Sequence, residues 1–234
     1  MLFALRQPAT LLGMVAGFLL GVALRAALQR RAASGRGGLS GRGRHLRGVG
    51  GPRRPPARVN WAAYLDPYGA VAAVISGVGW GARVPARTGR GGRAVVPLLV
   101  ALAVHAALAV AGFAAYRALG GPSGLGSPGA QVSDILHGTV HAGGTAVQVA
   151  LGFAVVNLGC GVLALTPIPP LELGVLLWSR LPRSPGARRF AYHLLEEAWG
   201  VLAILVGLLL PLAGQAPLLL ALIDIISKPI LQRV

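Results

Sequence analysis

Residues 166–173 read Thr166-Pro167-Ile168-Pro169-Pro170-Leu171-Glu172-Leu173 and close an apolar run that begins near Ala146. Three prolines at the end of a membrane-length helix decide the fold. Each removes a backbone donor and clashes with the preceding turn, so the helix has to break where they stand. In a bilayer a broken helix persists only where protein or a water-filled cavity covers the freed backbone groups. Glu172 stands on the break, and an ionisable side chain at membrane depth marks a candidate functional site.

Composition points the same way. The chain has 234 residues, 54% of them hydrophobic, which is one domain's worth of material and too apolar for an ordinary soluble fold. Six acidic residues (Asp66, Asp134, Glu172, Glu196, Glu197, Asp224) face 22 Lys and Arg, for a net charge of +16. Such a balance first suggests nucleic acid. Here the basic residues fall in short tracts between apolar runs, so they read as membrane topology and argue against nucleic acid as a partner. Cys160 is the only cysteine and lies in an apolar run, which rules out an intramolecular disulfide and a cysteine-based zinc cluster.

The pattern divides the chain into three parts. Residues 1–28 form a retained first transmembrane span, with Arg25 near its inner end. Residues 29–58 carry nine arginines among glycines and no acid, so this loop is expected to be flexible, cytoplasmic and drawn to anionic headgroups. Residues 59–234 make the remaining membrane core. Within it, 61–80 contains Asp66, Pro67, Gly69, Gly77 and Gly79 and is too short and broken for a clean span, so it reads as a re-entrant hairpin. Trp61, Tyr64, Tyr68 and Trp80 are expected to anchor that hairpin at the interface. Spans follow at about 95–119, 146–178 and 198–227; Pro211 and Gly214 make the last either one kinked span or two short arms.

Orientation follows from the positive-inside rule. Tracts 29–58, 83–93 and 180–189 are basic, whereas 120–145 has no Lys or Arg. With the basic tracts in the cytoplasm, the N-terminus and the 120–145 loop lie outside. That arrangement requires 61–80 to enter and leave on one side. The expected fold is an all-α polytopic membrane bundle with a re-entrant hairpin and a proline-broken helix.

Three stretches in this order resemble the site-2 proteases, intramembrane zinc metalloproteases, in their compact bacterial form. Pro167-Ile168-Pro169-Pro170-Leu171-Glu172 is similar to the family's N-x-x-P-x-P-P-L-D-G motif. Asn60 with Leu65-Asp66-Pro67-Tyr68-Gly69 is similar to its N-P-x-x-H-I-D-P-x-G segment, and Gly79-Trp80 with Arg83-Val84-Pro85 to its G-W-x-x-P-V-P. The resemblance covers most of the chain apart from a Gly/Arg insertion at 32–57, and it implies a bacterial cytoplasmic membrane. The family's chemistry needs H-E-x-x-H on the first helix: two His on one face bind zinc and the Glu serves as general base. Here Gly21, Val22 and Arg25 fall at those three positions, and Glu172 stands where the family's Asp supplies the third ligand. A guanidinium opposes a nearby divalent cation. The resemblance therefore implies a kept fold and a lost zinc centre.

Other residues invite weighing. If helical, Asp134, His137 and His141 share one face, which suits zinc; but Gly138, Gly143 and Gly144 weaken that helix, and a polar approach to the next span is the alternative. His105, mid-span, makes either a polar contact inside the bundle or a hydrogen bond to a neighbouring carbonyl. Asn157 is placed to bond across to another helix. Arg25 and Glu172 either meet or reach water separately, and their opposing positions in the resemblance favour a meeting. The expectation is a proteolytically inactive relative, without a cofactor, that binds or regulates a membrane-protein partner in the bilayer. The alternative is an active zinc metalloprotease with ligands relocated to His105, His137, His141 and Glu172.

Overall fold

The computed structural model describes residues 5–34, 64–82, 95–122, 131–180, 184–195, 198–211 and 217–232. In chain order these carry α1 (Pro8–Ser34), α2 (Pro67–Ser76), α3 (Val96–Ala118), α4 (Val132–Leu136) and α5 (Thr145–Leu163). They continue through α6 (Glu172–Arg180), α7 (Pro185–Leu195), α8 (Trp199–Leu209) and α9 (Leu218–Leu231). Three helices, α1, α3 and α5, are long and apolar enough to cross a membrane. Of these α5 is central, with 72% of its spanning window buried against 44% for α1 and 39% for α3. Its 19 residues rise about 28 Å, close to the hydrocarbon thickness of a bilayer.

Side-chain proximity fixes the directions. Gly13, Gly17 and Gly21 of α1 lie against Val149, Val156 and Asn157 of α5 in turn, so these helices run parallel. Gly112 of α3 meets Ala154 while His105 meets Asn157, so α3 runs antiparallel to both. The α1–α5 contact is backbone on backbone. A Cβ at Gly13 would lie 2.0 Å from the Val149 carbonyl oxygen, and one at Gly152 would lie 2.3 Å from that of Thr10. Small residues spaced by four let apolar helices approach this closely, which is how helices pack where no hydrophobic effect drives them together.

The first helix runs past Leu28 to Ser34. The expected flexible loop thus begins as helix, because Ala26 to Ala33 are helix formers without a glycine; the rest of 29–58 falls outside the described residues. Gln29 Nε2 donates to the Pro97 carbonyl at 3.0 Å, which puts the end of α1 beside the start of α3. The chain between them therefore departs and returns at the same end of the bundle.

Residues 64–82 fold back on themselves. Asp66 caps α2, accepting from the Gly69 N–H at 2.9 Å, and Pro67 stands at the first helical position where its missing donor costs nothing. Gly77 ends the helix with φ +88°, and the chain returns so that Leu65 pairs with Gly81 and Ala82 N–H donates to the Tyr64 carbonyl at 2.8 Å. The arms touch at Gly69 and Gly79, where a Cβ would meet backbone oxygen at 2.0 and 2.1 Å. Gly81 lies beside Val22 and Arg25, and the Gly77 tip lies beside Met14. The tip therefore reaches about 16 Å along α1 from the level of Arg25. Trp80 is 4% exposed, packed into the core rather than anchored at an interface, because Gly69 lets the indole close on α2. Tyr68 is exposed, and Tyr64 sits under the Arg30 guanidinium at 4.2 Å. Asn60 and Trp61, with Arg83, Val84 and Pro85, lie outside the described residues.

The expected 146–178 span resolves into two helices. After Leu163 the chain leaves helical geometry through the prolines and resumes it at Glu172, and Leu173 N–H donates to the Ala164 carbonyl at 3.1 Å across the gap. Residues 198–227 are two arms, not one span. Helices α8 and α9 rise about 16 and 21 Å, each short of a crossing; Pro211 and Pro217 pair between them, and Gly207 packs on Leu219.

Candidate functional site

Arg25, on the buried face of α1 about 14 Å from its Ser34 end, reaches across to the first residue of α6. Its Nη1 donates to Glu172 Oε1, forming an ion pair whose side chains are only 4% and 11% exposed. The Nη2 group donates to the Ala82 carbonyl at 3.3 Å. One guanidinium fork thus joins α1, the start of α6 and the returning arm of residues 64–82. The break positions Glu172 for this: Leu171 is buried, and Gly174 lies so close to Ile168 that a Cβ there would meet its carbonyl carbon at 2.3 Å. The turn through Pro169 and Pro170 is folded tightly onto the start of α6.

One turn up α1, Gly21 faces a second polar pair. His105 Nδ1 donates to Asn157 Oδ1 at 3.0 Å, and Asn157 Nδ2 donates to the Phe153 carbonyl at 2.9 Å. Both side chains are buried. A Cβ at Gly21 would lie 2.7 Å from Asn157 Oδ1 and 2.8 Å from His105 Cε1. The His105–Asn157 bond therefore fills the space that a larger residue at position 21 needs. Val22 is buried, with its side chain against Gly81.

These residues do not fit a zinc ion. A catalytic zinc takes about three protein ligands and an open position. The Glu172 carboxylate is held by a cation, and among the described residues no three of His, Cys, Asp and Glu come together as a ligand set. No protein-family model, curated protein or solved structure matches the chain.

Asp134, His137 and His141 do not share a helical face, because α4 ends at Leu136 and 139–142 has no helical structure. Asp134 and His141 each have another partner. Asp134 caps α4 by accepting from the Gln131 N–H at 3.0 Å. Gln7 Nε2 donates to His141 Nδ1 at 2.7 Å, with Thr10 Oγ1 donating to Gln7 Oε1 at 3.0 Å. This cluster lies at the opposite end of α1 from the ion pair; Thr10 and Arg25 are about 22 Å apart along the helix. A further polar contact was not evident in the sequence: Asp224 of α9 accepts from the Ser133 N–H at 2.9 Å and from its hydroxyl at 2.7 Å.

Burial lowers the His137 imidazole below its ordinary value of 6.5. The unfolded chain then binds a proton that the folded one refuses. Stability is complete above 6.5 and declines as pH falls from there toward the lowered folded value. Thermal unfolding in detergent should lose midpoint on acidification through that window, and His137→Gln should remove part of the loss. An unchanged acid slope in the variant would assign the loss to other groups.

Proposed function

We propose that this chain is an integral membrane protein of site-2-protease type that has exchanged its zinc centre for an internal ion pair and binds or regulates a membrane-protein partner. The carrying observation is the Arg25–Glu172 pair, since the resemblance assigns those two positions to opposing metal ligands. With Gly21 and Val22 at the other two positions, neither the first histidine nor the general base of the family's chemistry is present. The folded-back 64–82 segment, whose ends meet at the Arg25 level, supports a re-entrant hairpin entering from the side of the basic tracts. In this reading the N-terminus lies outside a bacterial cytoplasmic membrane, the basic tracts lie in the cytoplasm, and the proline break sits at membrane depth, covered by α1 and α8. The hairpin and the break together form the groove that in active relatives receives an unfolding substrate, and here it receives the partner.

Metal analysis of detergent-purified protein tests the loss of chemistry. Zinc should stay far below one equivalent after incubation and washing, and no cleavage of a membrane-embedded helix should appear. One equivalent of zinc, lost when His105, His137 or His141 is replaced, would establish the relocated-ligand metalloprotease instead.

A further inference from the structure

Helix α7 carries Arg189 and His193 four residues apart on one side and Phe190 and Leu194 four apart on another. It is amphipathic with little net hydrophobicity, the type of helix that lies in a membrane surface rather than crossing it. The stretch 173–195 contains Arg180, Arg183, Arg188 and Arg189 and no acid. Phe190 is 54% exposed and Tyr192 56%, although α7 is already docked, its Phe190 ring 5.0 Å from that of Trp178 on α6 and its Leu194 carbonyl beside Gly200 of α8. Trp199, at the start of α8, is also exposed. Large aromatic side chains left outside a docked helix, beside arginines, match the headgroup–acyl boundary, where ring bodies find hydrocarbon and cations find phosphate.

We infer that α7 is an interfacial helix that docks on the anionic phospholipid headgroups of the leaflet beside the ion-pair end of the bundle. Phe190 and Leu194 enter the acyl boundary, and Arg180 and Arg189 contact lipid phosphates. Through Trp178 and the contact of Gly200 with the Pro169 carbonyl, α7 connects lipid charge to the Glu172 break. The inference rests on membrane insertion and is independent of the partner-binding reading, so zinc or protease activity would leave it standing.

The test uses the full chain with Cys160→Ala, reconstituted in vesicles of phosphatidylcholine alone or mixed with phosphatidylglycerol. Nitroxide labels go at Phe190→Cys or His193→Cys. With phosphatidylglycerol, the label at 190 should become accessible to oxygen and shielded from a water-soluble relaxant, and the label at 193 should stay water-accessible. Arg180→Gln with Arg189→Gln should weaken that docked state about fivefold per arginine removed, and lysine at both positions should restore it. Amide exchange over 185–195 in the unlabelled protein, slower with phosphatidylglycerol, provides the same readout should a labelled variant not fold. A label at 190 that is equally water-accessible in both lipids, or exchange that ignores lipid charge, would overturn the inference.

Discussion

Arg25→Ala is expected to destabilise the folded protein by about 3–5 kcal/mol, the range for removing one partner of a buried ion pair. The loss exceeds that of the interaction itself because Glu172, 11% exposed, would be left as a charge without its cation. The Ala82 carbonyl would lose a donor as well, which loosens the returning arm of the hairpin. Arg25→Ala together with Glu172→Ala removes both charges, so its cost should fall below the sum of the single losses. Arg25→Lys should restore little, since a point-charge ammonium cannot reproduce the planar fork that holds two acceptors on separate segments. Reversible unfolding in detergent reads all four variants, and strictly additive losses would mean that the pair holds nothing together. The same experiment bears on the proposed function. If the groove between the hairpin and the break receives the partner, the Arg25 variant, with its returning arm loosened, should also lose partner capture at temperatures where it remains folded.

What the sequence made legible were features whose cause is local. The three long apolar helices follow from continuous apolar runs, and the helix stop at Leu163 follows from prolines that cannot continue it. The start of α2 follows from Asp66-Pro67, a capping side chain and a residue that needs no donor. The Arg25–Glu172 meeting follows from the cost of a single charge in lipid together with the opposing ligand positions that the resemblance implies for the two residues. Elements set by tertiary context were not legible. Helix α4 is five residues long and is held by Val132, Ile135 and Leu136 in the core and by Asp224, 91 residues away in sequence. Helix α7 lies within a basic stretch that topology alone reads as a loop. The weakness of a shared helical face for Asp134, His137 and His141 was legible in Gly138, which takes φ +67° just past the end of α4. Gly21 carried a second signal. Beyond standing at a ligand position in the resemblance, with Gly13 and Gly17 it completes a run of glycines spaced by four, the mark of close helix packing.

Alanine at Gly13 or Gly152 is therefore expected to cost about 1–3 kcal/mol each, the range for overpacking a tight core. The sign is not obvious beforehand, because alanine raises helix propensity over glycine by about 1 kcal/mol. Geometry decides it. A Cβ 2.0 Å from the Val149 oxygen, or 2.3 Å from that of Thr10, meets backbone rather than a side chain that can rotate away, so α1 and α5 must move apart along their length. Gly161 gives an intermediate case, with its Cβ 3.3 Å from that of His105, and should be nearly neutral. Gly186, with nothing within 4 Å, should gain stability with alanine. Separation of α1 from α5 also carries Arg25 away from Glu172, so Gly13→Ala combined with Arg25→Ala should cost less than the two losses summed. Unfolding midpoints in one detergent rank the series. If Gly13 and Gly152 rank beside Gly186, the α1–α5 seam is looser than backbone contact and glycine is not what sets it.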